Sequence, residues 1–256
     1  MEQIISAKNE RVKKWAKLKT KKGRTTFNQY ILESWHLVSE AINAKQPVDV
    51  ILTTDKQYDL HQEDIDTFSG EVIEISEDVA KTLGSTSTPQ GIFGIVNLES
   101  NLEVSNIDYS GAWLLLDQIQ DPGNIGTMVR TADAAGFKGV VFGTGTSSQF
   151  NPKVLRSMQG SQFHVNIFEG DLNDWISKFK DNHVPVYGTE LNPKAVGYLD
   201  VNPTENVALI MGNEGNGMQD ELLDQTDKNI YIPIKGRAES LNVAIAAGIL
   251  MFHLNK

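Results

Sequence analysis

A two-domain α/β protein with one basic end is predicted by three observations. Candidate strands and helices alternate through both halves of the 256-residue chain, the pattern of α/β layering. A polar stretch with little periodicity, 97–110, separates the halves. Most candidate strands of the second half are short, apolar and β-branched, as parallel strands buried on both faces should be.

Residues 8–19 read as a helix, with Val12, Trp15, Ala16 and Lys19 at helical spacing. The run Lys-Lys-Gly-Arg-Thr-Thr at 21–26 breaks it. Phe27–Leu32 then reads as a strand, and Ser34–Ala44 as a helix with Leu37, Val38, Ala41 and Ile42 inward. Val48–Thr53 and Glu71–Ile75 are strands, the latter followed by a short helix that Ser76 can cap. Gly91–Leu98 closes the first half. The expected division is a first domain over 1–100 and a second over 108–256. In the second, strands are expected at Ala112–Leu116, Gly139–Phe142, Val165–Phe168, Val184–Tyr187, Val207–Met211 and Ile230–Ile234. Ser240–Leu254 is apolar nearly all round and needs burial on most sides. A subunit interface would supply part of it.

Composition narrows the function classes. With no cysteine there is no disulfide framework and no thiolate zinc site. Five scattered histidines show no ligand spacing, so no metal is expected. The N-terminus lacks the apolar region of a secretory signal. Ala244–Phe252, the most apolar stretch, is too short to span a bilayer. A cytoplasmic protein with no membrane partner is expected.

The net charge of −10 argues against nucleic acid, but nine basic residues and one acid fall between Lys8 and Arg24. Lys13, Lys14, Lys17, Lys21, Lys22 and Arg24 therefore form a candidate phosphate footprint. A solvated helix face explains the same run equally well.

Open parallel sheets bind ligands beyond the carboxyl ends of their strands. Three such ends lead into unusual loops: Leu116–Arg130, Ile210–Met218 and Ile232–Val243. Their glycines permit tight turns and close backbone approach to a ligand. Asn124 or its neighbours can open a helix running through Arg130 to Ala135, and Ser240 is a candidate cap for the last helix. Gly143–Ser148 lacks the third glycine of a dinucleotide loop, and there is no P-loop.

The conjunction Asn124-x-Gly126-x-x-x-Arg130, Gly212-Asn-Glu-Gly-x-Gly217, and Ile232-Pro with Ser240-Leu-Asn242 resembles, in order and spacing, the three motifs of the SpoU–TrmH RNA ribose 2′-O-methyltransferases. The resemblance covers 108–256. Residues 151–161 resemble the family's segment between the first two motifs, and the first half resembles its ribosomal-protein-like RNA-binding domain. There the usual Glu-Gly junction is Glu33-Ser34.

The resemblance implies a Rossmann-like parallel sheet whose chain, from about Val184 onward, forms a trefoil knot. It implies a homodimer and S-adenosylmethionine held by Thr189, Gly212, Ile232 and Leu241. Taken alone, Ile232 and Leu241 read more simply as core. Arg130 matches the family's catalytic arginine. A guanidinium stays protonated, so its expected role is electrostatic, toward the developing alkoxide and a phosphate. Without the resemblance, a surface ion pair with Asp133 or a neighbouring acid is the simpler reading. Asn124, Glu214, Ser240 and Asn242 match the remaining polar motif positions. Lys153 and Arg156 are further candidates for RNA phosphate. Ribosomal RNA is favoured over transfer RNA as substrate. The alternatives are a transfer RNA methyltransferase, a non-catalytic RNA-binding protein on this fold, and a small-molecule transferase.

Overall fold

The computed structural model describes residues 1–98, 107–190, 192 and 194–256. Most of the polar stretch expected as the linker, 99–106, lies outside the described residues. The chain forms two compact units, Met1–Val104 with Phe150–Phe163, and Ser105–Gln149 with His164–Lys256.

The first unit carries strands β1 (Glu2–Ile4), β2 (Gln29–Glu33), β3 (Val48–Thr53), β4 (Glu71–Ile75) and β5 (Ile92–Asn97). Their order is β1-β4-β3-β5-β2. β1 and β3 run parallel to β4, and β5 is antiparallel to β2 and β3. The helices are α1 (Glu10–Lys17), α2 (Lys21–Phe27), α3 (Trp35–Asn43), α4 (Asp55–Ile65) and α5 (Glu77–Leu83). Val12, Trp15 and Leu18 pack with Leu52, Ile73, Val79 and Phe93 in one core. Removing this apolar surface from water supplies the main favourable free energy. Ser76 caps α5 by accepting from the Val79 N–H, as expected.

Residues 21–26 do not merely break the first helix; they form α2. Thr20 caps it through the Gly23 N–H, and Asn28 ends it in the left-handed region at φ 51°. The strand therefore starts at Gln29 and not Phe27. Gly23 is required because a Cβ there would stand 2.0 Å from the Lys17 carbonyl oxygen. Two further elements of this unit escape sequence reading. β1 has only three residues, and α4 buries only Gln57 and Ile65, too little for a periodic signal.

The second unit is a parallel sheet of β6 (Ala112–Leu116), β7 (Gly139–Gly143), β8 (Asn166–Gly170), β9 (Val186–Thr189), β10 (Val196–Gly197), β11 (Val207–Met211) and β12 (Lys228–Tyr231). The order is β10-β12-β9-β11-β6-β7-β8. Every residue of β6, β7 and β11 is buried. Helices α6 (Pro122–Ala134), α8 (Leu172–Asp181), α9 (Asp220–Leu223) and α10 (Val243–Leu254) belong to this unit, and α7 (Pro152–Met158) to the first. Trp113, Trp175 and Phe179 form the aromatic part of its core.

The last helix begins later than expected. Asn242, not Ser240, is its cap, accepting from the N–H groups of Ala244 and Ile245 at 2.9 and 3.3 Å. Its all-round apolar surface is only partly covered, for Ile245 is 55% and Phe252 62% exposed. Among the described residues no helix is long and apolar enough to cross a membrane.

Candidate active site

Parallel strands place all their carboxyl ends at one edge. β12, β9, β11, β6 and β7 are consecutive in the sheet, so the loops after them meet there. The structure joins three of the predicted polar residues in one hydrogen-bonded chain. Glu214 accepts from the N–H groups of Gln120 and Asp121 at 3.2 and 3.0 Å, and from the Asn124 amide at 3.1 Å. The Asn124 side-chain oxygen accepts from the Asn242 amide at 2.9 Å. Asn242 in turn caps α10. One side chain thus connects the loop after β6, the turn after β11 and the start of the last helix.

Partial burial pushes the Glu214 pKa up. The N–H groups of Asp121, of Glu214 itself and of Gln120, with the Asn124 amide, outweigh it and hold the carboxyl below its ordinary range. Hydrogen bonds to the charged form favour that form.

Sequence reading missed the second tie. Asp117, 1% exposed, follows β6 directly. Its carboxylate accepts from the Gln219 N–H at 2.8 Å and the Gln219 side-chain amide at 2.6 Å. Asn213 donates to the Gln118 carbonyl at 2.7 Å and accepts from the N–H groups of Gly215 and Asn216. Gln120 donates to the Gly145 carbonyl, and its own carbonyl accepts from Ser147. The available signal for Asp117 was a lone carboxylate closing a wholly apolar strand, since such a group is buried only with partners.

Gly212 is needed by the turn itself. A Cβ would lie 2.3 Å from the Met218 nitrogen and 2.4 Å from the Gly217 carbonyl carbon. Thr189 ends β9 and donates to the Ile210 carbonyl at 2.9 Å. Ile232 follows β12 half-buried, and Leu241 is exposed. Thr189, Gly212 and Ile232 therefore share the carboxyl edge, on or just beyond adjacent strands. Between Ile232 and Asn242, Pro233–Leu241 is exposed and makes no hydrogen bond among the described residues. Ser240 lies within it.

Arg130 stands exposed on α6, its side chain without a hydrogen bond or ion pair among the described residues. The surface pair with Asp133 is not formed, because Asp133 faces His164 Nδ1 at 3.0 Å.

The candidate RNA cations divide within the first unit. Arg24 is 6% exposed and donates to the carbonyls of Leu18 and Lys19 at the end of α1. It is a helix-terminating group and not a surface phosphate ligand. Lys13 pairs with Glu10 at 2.7 Å, and Lys14 lies over the Phe27 ring. The side chains of Lys17, Lys21 and Lys22 are exposed and make no hydrogen bond or ion pair among the described residues. Arg156 is held by Glu33 at 3.6 Å and by Ser85, whereas Lys153 is exposed.

The chain's similarities agree with this geometry. A model described as the SpoU rRNA methylase family matches residues 111–252, and one described as an MRM3-like substrate binding domain matches 9–94. The 23S rRNA (guanosine(2553)-2′-O)-methyltransferase RlmP of Bacillus subtilis is 45% identical over 99% of both chains. An AdoMet-bound rRNA methyltransferase from Sinorhizobium meliloti superposes with a TM-score of 0.87 at 30% identity, covering 99% of this chain and 97% of that one. The SpoU methyltransferase AviRb of Streptomyces viridochromogenes, at 24% identity, shares the fold with a TM-score of 0.85, covering 96% and 97%.

Proposed function

This chain belongs to the SpoU rRNA methylase family, and we propose that it methylates a ribose 2′-oxygen of 23S-type ribosomal RNA. It is an S-adenosylmethionine-dependent RNA 2′-O-methyltransferase. The observation that carries the choice of RNA is the 45% identity, over 99% of both chains, to the Bacillus subtilis enzyme named for guanosine 2553. A guanosine at the equivalent position is the first target to test.

The residues present fit the donor. Thr189, Gly212, Ile232 and Leu241 would hold it. Close backbone at Gly212, apolar surface at Ile232 and Leu241, and unpaired main-chain groups over Pro233–Leu241 suit a ligand with an adenine, a ribose and an amino-acid end. When bound, the donor supplies an electrophilic methyl group on a sulfonium. The chain's own task is to position a ribose hydroxyl and ease the loss of its proton. Arg130 favours negative charge growing on that oxygen and binds the adjacent phosphate. A phosphate oxygen or water takes the proton. Asn124, Glu214 and Asn242 hold the loops around the reacting groups, with Ser240 in the flanking segment.

Lys13, Lys14, Lys17, Lys21, Lys22 and Lys153 capture RNA on the first unit, with Arg156 beside them positioning α7. A homodimer through the exposed Ile245 and Phe252 of α10 is supported by their apolar surface. The strand order, with β12 between β10 and β9, supports a knotted C-terminal path from about Val184. A cytoplasmic location follows from the RNA substrate.

The test maps ribose methylation on total RNA with and without the gene. One large-subunit ribosomal position is expected to lose its methyl group. Loss of a transfer RNA methylation instead would overturn the choice of substrate.

A further inference from the structure

Three acids of the loops after β6 and β11 are engaged, whereas three cations of α6 and of the segment after β12 are not. Asp117 is held by Gln219, Asp121 by the Asn124 N–H, and Glu214 by three donors of the first loop. The side chains of Arg130, Lys235 and Arg237 are exposed and have no hydrogen bond or ion pair among the described residues. Elsewhere in this unit Lys138 pairs with Asp108, Lys180 with Asp227, and Lys178 lies over the Trp175 ring, whereas the Lys194 side chain has no partner among the described residues.

Lys235 and Arg237 sit in a segment fixed at both ends. It leaves β12 at the carboxyl edge, and it returns at Asn242, tied to Asn124 at 2.9 Å. Between these anchors Pro233–Leu241 makes no hydrogen bond among the described residues. Glu239 offsets one of its two charges, leaving the segment net positive in a chain of net charge −10. Unpaired cations do not help to hold a sulfonium, which they repel. A guanidinium and an ammonium two residues apart suit phosphate oxygens, the first as a fork and the second as a point charge.

We infer that Lys235 and Arg237 bind the phosphates of the RNA strand flanking the target ribose, making the 233–241 segment a backbone-positioning element of the site. This rests on the reading of the chain as an RNA methyltransferase. It adds a second RNA-binding element to the basic surface of the first unit.

The experiment uses the full chain and an unmodified 23S ribosomal RNA transcript. Binding is read by fluorescence anisotropy across salt concentrations, beside methyl transfer and calorimetric affinity for S-adenosylmethionine. Lys235→Gln with Arg237→Gln should flatten the slope of log affinity against log salt by about 1.4, since each neutralised phosphate of a single strand contributes about 0.7. The KM for RNA should rise about tenfold at moderate salt, with donor affinity within twofold of the parent. An unchanged slope overturns the inference. So does a loss of donor affinity with the slope intact, which would make the segment a clasp for the donor alone. If the parent methylates no ribosomal transcript, the functional reading fails instead. The slopes, which need no turnover, still decide the inference.

Discussion

The turn Gly212–Met218 and the segment Pro233–Leu241 leave the same edge of one parallel sheet, yet they are built in opposite ways. The turn is closed by paired main-chain hydrogen bonds between Asn213 and Gly217, braced by Asn213 and Glu214, and pinned beyond its end through Gln219 to buried Asp117. The segment has no hydrogen bond among the described residues between its two anchors. A site that must both hold reacting groups still and admit a long polymer needs each kind. Preorganised dipoles act without reorganising, while a binding segment requires donors that are still unengaged. Substitutions in the locked part should therefore damage geometry and stability. Substitutions of the free cations should damage transfer and RNA engagement with the fold intact.

The largest expected effect is at Arg130, a free group. Arg130→Ala should lower single-turnover methyl transfer by about 10²–10³, the usual effect of removing one partner of a developing oxyanion. Melting temperature and donor affinity should hardly move. Arg130→Lys should rescue poorly, because an ammonium lacks the planar fork. Near-normal turnover in Arg130→Ala, or lost donor binding with chemistry intact, would erase the distinction.

Next comes the locked turn. In Gly212→Ala the new Cβ meets main-chain atoms at 2.3 and 2.4 Å, which cannot rotate aside. Overpacking of this kind costs about 1–3 kcal/mol. At about 2–4 °C per kcal/mol for a domain of this size, calorimetry should show a clearly lower Tm and weaker donor binding. An unchanged Tm would mean that the turn relaxes freely.

A smaller effect concerns pH. The Glu214 pKa is lowered in the folded chain, so its contribution is present above the ordinary carboxyl value and lost as pH falls through the lowered one. The amide chemical shift of Gln120 should show an acid limb with its midpoint below the ordinary 4.5. Glu214→Gln should abolish that acid limb. A midpoint above 4.5 would contradict the hydrogen-bonding account.

The smallest effect separates free from engaged cations in the first unit. Neutralising Lys17, Lys21 and Lys22 should flatten the salt slope of RNA binding by about 0.7–0.9 for each phosphate that no longer meets a cation. Arg24→Gln should instead lower the Tm, because it uncovers the Leu18 and Lys19 carbonyls. Equal slope changes for both sets would show that burial does not sort these residues.

What the sequence alone determined was local or motif-borne. β3, β4, β6 and β11 fall at their expected bounds, because a wholly or half-buried strand writes its period into consecutive residues. The three loops and their polar residues were legible because the motifs are contiguous and ordered. What only the tertiary structure decided depends on partners distant in the chain. Asn242 displaces Ser240 as the cap while its amide reaches Asn124, 118 residues away. Asp117 is bonded 102 residues on, to Gln219. Arg24 reads as one more surface charge until Gly23 lets α2 approach α1 closely enough to bury it. Phe150–Phe163 lies in sequence between two strands of the second sheet, yet it joins the first unit. There Phe150 packs on the Tyr30 ring and Arg156 meets Glu33. Local periodicity records which face of an element is apolar. It does not record which surface that face will meet, nor which charges the meeting will bury.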